Sequence, residues 1–319
     1  MSLGEFDLIK TFFTRPTRRA DLGVGDDCAL LSIAPGMQLA TSTDMLVEGR
    51  HFLSTVMPER LGHKALAVNL SDLAACGATP KAFTLALAMP RADESFLAGF
   101  SRGLLALADE HDCELVGGDT TQGPLNISIT VFGEIPAGQA LLRSGAKPGD
   151  DLYVSGTVGD ARLALEVFRA TLALDGEDFE TVRQAMELPT PRVALGIALR
   201  GLATSAIDVS DGLLGDLAHI LRASRVGATV DADAVPRSAV LASRPIGTQR
   251  LCTLAGGDDY ELVFTASPRH ADAVQRAAQH AKVNVCRIGR IEAQPGLRLV
   301  DAGGESVAND FGSFDHFRS

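Results

Sequence analysis

The chain has 319 residues, a length that suggests about two domains. Hydrophobic residues make up 46% and charged residues 22%, a composition that is ordinary for a globular protein and excludes disorder over most of the length. The formal charge of −11 argues against a nucleic acid or an anionic membrane as a partner, since both are bound by basic surfaces.

Hydrophobic periodicity and turn residues predict an alternation of strands and helices. In the first half the pattern predicts strands at 27–33 and 38–43, a helix at 59–76, a strand at 83–90, a helix capped by Asp93 that ends near 111, and strands at 113–116 and 125–135. In the second half it predicts a strand at 151–156, a helix after Gly159, a helical stretch at 178–201, a strand-turn-helix unit at 203–224, a strand at 260–266, a helix at 268–281 and a strand at 283–291. Helices and strands alternate in both halves, so the fold class is mixed α/β.

The stretch between the two halves has the composition of a linker. Gly138, Gly145 and the Pro148-Gly149 pair fall within a few residues of one another. We therefore expect an N-terminal domain at 1–137, a linker at 138–149 and a C-terminal domain at 150–319.

Cysteines and apolar runs predict the compartment. The five cysteines are scattered and form no Cys-x-x-Cys pair, as expected for thiols in a reducing cytosol. The first residues include no apolar signal segment, and no run approaches about 18 apolar residues. These features predict a cytoplasmic protein with no membrane partner.

Aspartates cluster with Gly, Ser and Thr in turns that hold no Lys or Arg. These turns are Gly23–Asp27, Ser42–Asp44, Asn69–Asp72, Gly117–Thr121, Ile207–Gly212 and Gly256–Glu261. Any one of them is explained by turn or helix-capping preference alone. Asp72 is different, because it lies within a predicted helix in phase with apolar residues, and a buried carboxylate without a partner is costly. Many carboxylates without basic partners indicate a divalent metal, and oxygen ligands select Mg²⁺, Mn²⁺ or Ca²⁺.

Glycine-rich turns accompany the acidic ones. Gly117-Gly118 and Gly256-Gly257 precede aspartates, and Gly156 and Gly159 flank a strand-to-helix turn. Such turns let backbone N–H groups approach phosphate, and a polyphosphate approaches carboxylates only through a bridging cation. The combination favours a Mg-nucleotide site, although no Walker A, protein-kinase or nucleophile-elbow motif occurs.

The order of these motifs resembles the thiamine-monophosphate kinase family. The segments that carry the resemblance run from Gly4 to Phe317: GEFDLI, GVGDDCALL, STDMLVEGRHF, KALAVNLSDLAACGATP, GGDTTQGPL, RSGAKPGDDLYVSGTVGDA, AIDVSDGLLGDLAHI, GGDDYELVF and FDHF. The family belongs to a superfamily with aminoimidazole ribonucleotide synthetase and selenophosphate synthetase. The resemblance implies an N-terminal sheet that forms a barrel across a homodimer, a C-terminal α/β domain, and transfer of phosphate from ATP to thiamine monophosphate.

The resemblance also implies roles for residues. Those matching Mg²⁺ positions are Asp27, Ser42, Thr43, Asp44, Asp72, Asp119, Asp208 and Asp211. Those matching ATP positions are Gly117, Gly118, Arg143 and Ser210, and those matching thiamine-phosphate positions are His51, Asp258 and Phe314. The chain departs from the family pattern at Asp258, where Glu is common, at Phe314, where Tyr or Trp is common, and at Met45, where a small polar residue is usual.

The expected mechanism is direct in-line phosphoryl transfer with several Mg²⁺ ions and no covalent enzyme intermediate, as the last step of thiamine diphosphate biosynthesis. The alternatives are another ATP-dependent synthetase of the superfamily, a metal-dependent phosphohydrolase, or a Ca²⁺-binding module. The sequence disfavours each alternative. Against the other superfamily members, no Cys occurs in residues 1–22 or at the C-terminus. Against a phosphohydrolase, the seven His lie outside the acidic turns, and against a Ca²⁺-binding module, no EF-hand loop is present.

Overall fold

The computed structural model describes residues 4–312, and they form two units. The first unit comprises 4–73 and 78–138, and the second comprises 74–77 and 139–312. Each unit is built on its own sheet, so the chain has a mixed α/β fold with two domains. Within the described residues, no helix has the length and apolar character needed to cross a membrane.

The first part of the chain supplies a four-stranded sheet in the order β1-β4-β2-β3. Its strands are β1 (Met37–Val47), β2 (Thr79–Met89), β3 (Glu114–Gln122) and β4 (Asn126–Pro136), and its helices are α1 (Glu5–Leu8), which a π-helical turn (Ile9–Phe13) continues, α2 (Pro58–Cys76) and α3 (Glu94–Glu110). Strand β4 is antiparallel to both of its neighbours, β1 and β2, whereas β2 and β3 are parallel. The Asp93 side chain accepts a hydrogen bond from the Phe96 amide, which confirms the predicted cap of α3.

The two faces of this sheet differ in burial. Ile127, Ile129 and Val131 alternate along β4 as buried residues, and the residues between them are only half-buried. Paired residues point to the same face, so Ser42 and Asp44, opposite Val131 and Ile129, belong to the buried face. The opposite face carries exposed side chains and is called the open face below.

The second unit contains a seven-stranded sheet in the order β11-β10-β7-β9-β5-β8-β6. Its strands are β5 (Asp151–Ser155), β6 (Ala203–Asp208), β7 (Gly227–Asp231), β8 (Leu262–Ala266), β9 (Val285–Glu292), β10 (Gly296–Val300) and β11 (Ser306–Val307). Its helices are α4 (Asp160–Phe168), α5 (Gly176–Glu187), α6 (Val193–Ala198), α7 (Leu213–Ser224), α8 (Ala239–Ala242), α9 (Ile246–Ala255) and α10 (Ala271–His280), which a 3-10 turn (Pro268–His270) precedes. A buried core that includes Leu152, Val154 and Val263 supports the sheet, and Phe311 packs against this core.

One predicted strand is wrong. Residues 27–33 form only isolated bridges in this region, such as Leu22 with Leu30, before β1 begins at Met37. Leu30 is 55% exposed, so the alternation of apolar residues here has no core beneath it. The sequence pattern also missed β7, β10 and α9 of the second unit.

Candidate active site

The first unit brings together two of the predicted metal ligands, Ser42 and Asp72. The Ser42 hydroxyl on β1 donates to Asp72 Oδ2 on α2 at 2.5 Å. The Asp44 backbone amide donates to Asn69 Oδ1, one turn earlier on α2, at 3.0 Å. Helix α2 therefore lies against β1, and the half-buried Asp72 carboxylate accepts from a neutral hydroxyl. The cation expected as its partner stays a prediction.

Thr43 and Asp119 lie on the open face of the same sheet. The Thr43 hydroxyl is 2.8 Å from the Thr130 hydroxyl of β4. Asp119 pairs with the exposed Ala86, whereas the next residue, Thr120, is buried. Strand alternation thus directs Asp119 and Thr43 away from the face that carries Asp44.

Asp27 is exposed in the loop before β1, and its backbone amide donates to Oδ1 of the neighbouring Asp26 at 2.9 Å. Across residues 4–312, no three His, Cys, Asp or Glu side chains are grouped to hold one ion. The oxygen donors are nevertheless those that suit Mg²⁺, which typically takes one or two carboxylates and completes its coordination with water and substrate phosphates. The donor set therefore fits an ion that arrives with a nucleotide better than a closed protein cage.

His51 closes the turn that follows β1. Its Nδ1 accepts a hydrogen bond from the Val47 amide at 3.0 Å, and its carbonyl accepts from Lys64 Nζ at 3.3 Å. An accepting Nδ1 leaves the proton of the neutral ring on Nε2. Lys64 is only 3% exposed, so a buried cation of α2 anchors this turn.

The Gly117–Thr121 segment, predicted as a turn, lies within β3 because it pairs with β2, and its two glycines have different local constraints. A Cβ on Gly118 would lie 1.8 Å from the Leu85 carbonyl oxygen, and its φ of +147° is unfavourable for other residues. A Cβ on Gly117 would meet only the Thr84 methyl group at 3.7 Å. The pairing of β3 with β2 therefore accounts for Gly118, whereas Gly117 has no such packing reason.

In the second unit, a buried carboxylate organises the turn that carries Asp208, Ser210 and Asp211. Asp216 Oδ2 accepts the amides of Ser210, Asp211 and Gly212 at 3.0–3.1 Å. Burial and the nearby Asp211 charge raise the pKa of Asp216 to about 7, against the opposing effect of the three donors. Sequence reasoning missed Asp216, although its helical phase with Leu213, Leu217 and Ile220 was a usable signal.

The Gly256–Glu261 turn is bonded to this first turn along the backbone. The Asp258 amide donates to the Ser210 carbonyl at 2.9 Å, and the Tyr260 amide donates to the Val209 carbonyl at 2.8 Å. A Cβ on Gly257 would lie 2.3 Å from the Ser210 oxygen, so this close approach requires glycine. The predicted substrate residue Asp258 and the predicted ATP residue Ser210 are therefore held side by side.

The Gly156–Gly159 turn was expected to approach phosphate, and this interpretation is wrong for its Gly159 amide. That amide donates to both carboxylate oxygens of Asp259 at 2.9 Å. Desolvation and the neighbouring carboxylates raise the pKa of Asp259 well above its ordinary value. The chain's own carboxylate occupies the place at which a phosphate was expected.

Glu261 fills the other end of the Gly156–Gly159 turn. A Cβ on Gly156 would lie 2.0 Å from the Glu261 carboxylate, which accepts from the Ser155 hydroxyl at 2.5 Å and from Arg192 Nε at 2.7 Å. A second contact joins Arg192 Nη2 to Glu261 Oε1. Glu261 is 4% exposed, so this buried pair fixes the end of the acidic turn.

Arg143 lies beside α7, near His219 and Ser224. Burial and then the charges of Arg143 and Arg222 lower the pKa of His219, while Asp211 raises it. The Arg143 carbonyl accepts from the Ser224 hydroxyl at 3.3 Å. The Arg143 backbone is thus held at the C-terminal end of α7, whereas Ser210 and Asp211 lie in the turn before its N-terminal end. Phe314, predicted to contact the substrate, lies outside the described residues.

Comparison with known proteins identifies the family of this chain. Residues 25–135 match the N-terminal domain, and residues 147–302 the C-terminal domain, of AIR synthase related proteins. A thiamine-monophosphate kinase from Salmonella typhimurium is 47% identical over 323 residues, which cover 99% of each chain. This chain belongs to the thiamine-monophosphate kinase family.

Solved structures of that family agree with the fold. The crystal structure of a thiamine-monophosphate kinase from Stenotrophomonas maltophilia is 45% identical, has a TM-score of 0.87, and is matched over 96% of this chain and 99% of that chain. A structure of AaThiL complexed with AMPPCP and TMP is 29% identical, with a TM-score of 0.77 over 90% of this chain and 89% of the other. Family membership therefore extends over both units.

Proposed function

We propose that this protein transfers the γ-phosphoryl group of ATP to thiamine monophosphate and releases thiamine diphosphate and ADP, as the last step of thiamine diphosphate biosynthesis in the cytoplasm. The observation that carries the proposal is the 47% identity to a thiamine-monophosphate kinase over 99% of both chains. A family structure in complex with AMPPCP, an ATP analogue, and TMP supports the same substrates.

Eight residues that match Mg²⁺ positions of the family, six aspartates with Ser42 and Thr43, are proposed to hold Mg²⁺ together with the nucleotide. In the first unit these are Asp27, Ser42, Thr43, Asp44, Asp72 and Asp119, and in the second unit Asp208 and Asp211. When bound, Mg²⁺ neutralises phosphate charge that would otherwise repel both the carboxylates and the acceptor. The proposed nucleotide contacts are Gly117, Gly118, Arg143 and Ser210, and the proposed thiamine-phosphate contacts are His51, Asp258 and Phe314.

The proposed phosphoryl transfer depends on the positioning of the two substrates more than on acid–base catalysis. The attacking atom is a phosphate oxygen, which is already ionised at neutral pH, so no strong general base is required. Asp216 holds the amides of Ser210–Gly212 in one arrangement, and the backbone bonds to Ser210 and Val209 hold Asp258 beside them. Residues that fix this geometry contribute through orientation.

The open face of the first sheet is proposed to form a barrel with the same face of a second copy. Leu39 and Met45 lie on this face and are 48% and 54% exposed. Exposed apolar side chains on an uncovered sheet indicate an interface, and a twofold pair is the commonest symmetric assembly.

Steady-state kinetics test the proposed activity. ADP release is measured with thiamine monophosphate, with thiamine, and with no acceptor. We expect release that saturates with thiamine monophosphate and stays near background in the other two. ADP release that is equal with and without thiamine monophosphate would instead indicate a phosphohydrolase.

A further inference from the structure

The Tyr260 hydroxyl is aimed at the Asp258 carboxylate. The Tyr260 oxygen lies 3.0 Å from Asp258 Oδ1, where the hydroxyl donates and the carboxylate accepts. The tyrosine is 8% exposed, so its ring is packed in the second unit while its hydroxyl reaches the half-buried Asp258. The contact joins a rigid, buried group to a carboxylate of the acidic turn.

Both residues of this contact adopt an uncommon backbone conformation. Asp258 has a φ of +67° and Tyr260 a φ of +52°, the left-handed region that residues other than glycine seldom adopt. Two such residues in one turn carry a conformational cost that the surrounding structure must offset, and such strain is concentrated at functional sites. The bonds from the Asp258 and Tyr260 amides to Ser210 and Val209 provide that support.

Those backbone bonds fix the Cα of Asp258, but a side-chain contact is what sets its rotamer. A neutral hydroxyl suits this role for a cationic ligand. It orients the carboxylate through one oxygen and leaves its negative charge intact, whereas an arginine would neutralise the charge. Arg192, which lies before α6, donates instead to Glu261 at the end of the turn.

We propose that Tyr260 is a positioning residue that holds the Asp258 carboxylate in the orientation in which it meets the cationic thiamine moiety of the substrate. The inference rests on the proposed function, because it assigns a role at the thiamine-monophosphate site. It adds a residue that the sequence patterns and the family resemblance did not single out.

The test removes one oxygen atom by Tyr260→Phe. We expect the KM and the Kd for thiamine monophosphate, the latter from calorimetric titration, to rise about 5- to 20-fold, as for loss of one hydrogen bond to a charged group. The KM for ATP and the melting temperature are expected to stay close to those of the wild type. A merely structural hydroxyl would instead lower the melting temperature or affect both substrates alike.

Tyr153→Phe is the matched control, since Tyr153 is the chain's other tyrosine. Tyr153 is 3% exposed and stacks on Phe264 with 5.2 Å between ring centroids in the same unit. Loss of the Tyr153 hydroxyl is expected to leave the KM for thiamine monophosphate unchanged.

A double-mutant cycle with Asp258→Asn shows whether Tyr260 acts through Asp258. We expect Tyr260→Phe to change the Kd by less than about twofold once Asp258 is already asparagine. Independent, multiplicative effects would overturn the inference, as would an unchanged Kd in Tyr260→Phe alone. A wild-type protein that neither binds nor turns over thiamine monophosphate would overturn the proposed function, and this inference with it.

Discussion

Asp72 illustrates how far a single residue can be interpreted from sequence. Its place in phase with the apolar side of a helix predicts that the carboxylate needs a cation as partner. The structure supplies the Ser42 hydroxyl at 2.5 Å. Helical periodicity could not identify that partner, because it says nothing about which strand lies against α2.

Asp72→Asn is expected to reduce kcat at limiting Mg²⁺ by at least about 100-fold, or about 2.8 kcal/mol of transition-state stabilisation. The reason is that asparagine keeps the shape but loses the charge that holds the cation. Activity is measured over a Mg²⁺ titration, with a thermal melt to show that the variant is folded. Asp109→Asn is the control, because Asp109 pairs with Arg15 at a largely exposed position. Wild-type activity of Asp72→Asn at limiting Mg²⁺ would contradict the assignment.

His111 is expected to make stability depend on pH. Its Nε2 is buried without a hydrogen-bond partner in the described part of the chain, and burial lowers the pKa of the ring. The unfolded chain then binds more protons than the folded one as the pH falls through the ordinary histidine value of about 6.5. The free energy of unfolding should therefore decrease from pH 7.5 to 5.5.

Urea unfolding of the wild type and of His111→Leu at both pH values measures this contribution. The variant should lose less stability on acidification, because it has no ring to protonate. Equal losses in the two proteins would show that His111 does not contribute.

At the level of elements, some glycines of the glycine-rich segments have a packing reason in the structure, whereas Gly117 has none. The sequence predicted them all as places where a backbone approaches phosphate. In the structure, the absence of a Cβ at Gly118 allows β3 to pack close to β2, and the Gly159 amide donates to the Asp259 carboxylate. Close approach between strands and between turns depends on tertiary packing, so composition could not distinguish these cases.

Gly117→Ala and Gly118→Ala form a matched pair that tests this distinction. Gly118→Ala should lower the free energy of unfolding by about 2–4 kcal/mol, because its Cβ would collide with the Leu85 carbonyl and its φ is positive. Gly117→Ala should remain folded and raise the KM for ATP by about tenfold, if the nucleotide approaches this backbone. Chemical unfolding and ATP kinetics are measured for both. Equal stabilities of the two variants would contradict the packing argument.

At the scale of the whole molecule, alternation of helices and strands was enough to predict the mixed α/β class. The prediction of individual strands was wrong at 27–33, where no core lies beneath the apolar residues. It missed short strands such as β7, which lie next to helices without a strong turn signal. The motifs themselves indicated the family, which the comparisons confirmed. The contacts of Asp216, Asp259 and Glu261 depend on how turns pack together and were not predictable from spacing.

The open face of the first sheet predicts a homodimer. Light scattering at micromolar concentration should give twice the chain mass for the wild type, and Met45→Glu should dissociate the pair by placing a charge in the proposed interface. Met57→Glu is the control, since Met57 is 56% exposed but lies at the start of α2. A monomeric wild type, or dissociation by both variants, would count against this interface.

The central claim is direct transfer of phosphate from ATP to thiamine monophosphate, and the fate of the transferred group tests it most directly. The protein is incubated with Mg²⁺, thiamine monophosphate and ATP labelled at the γ-phosphate, and the products are separated and quantified. We expect the label to appear in thiamine diphosphate in a one-to-one ratio with ADP. Label recovered as inorganic phosphate, with no labelled thiamine diphosphate, would contradict it.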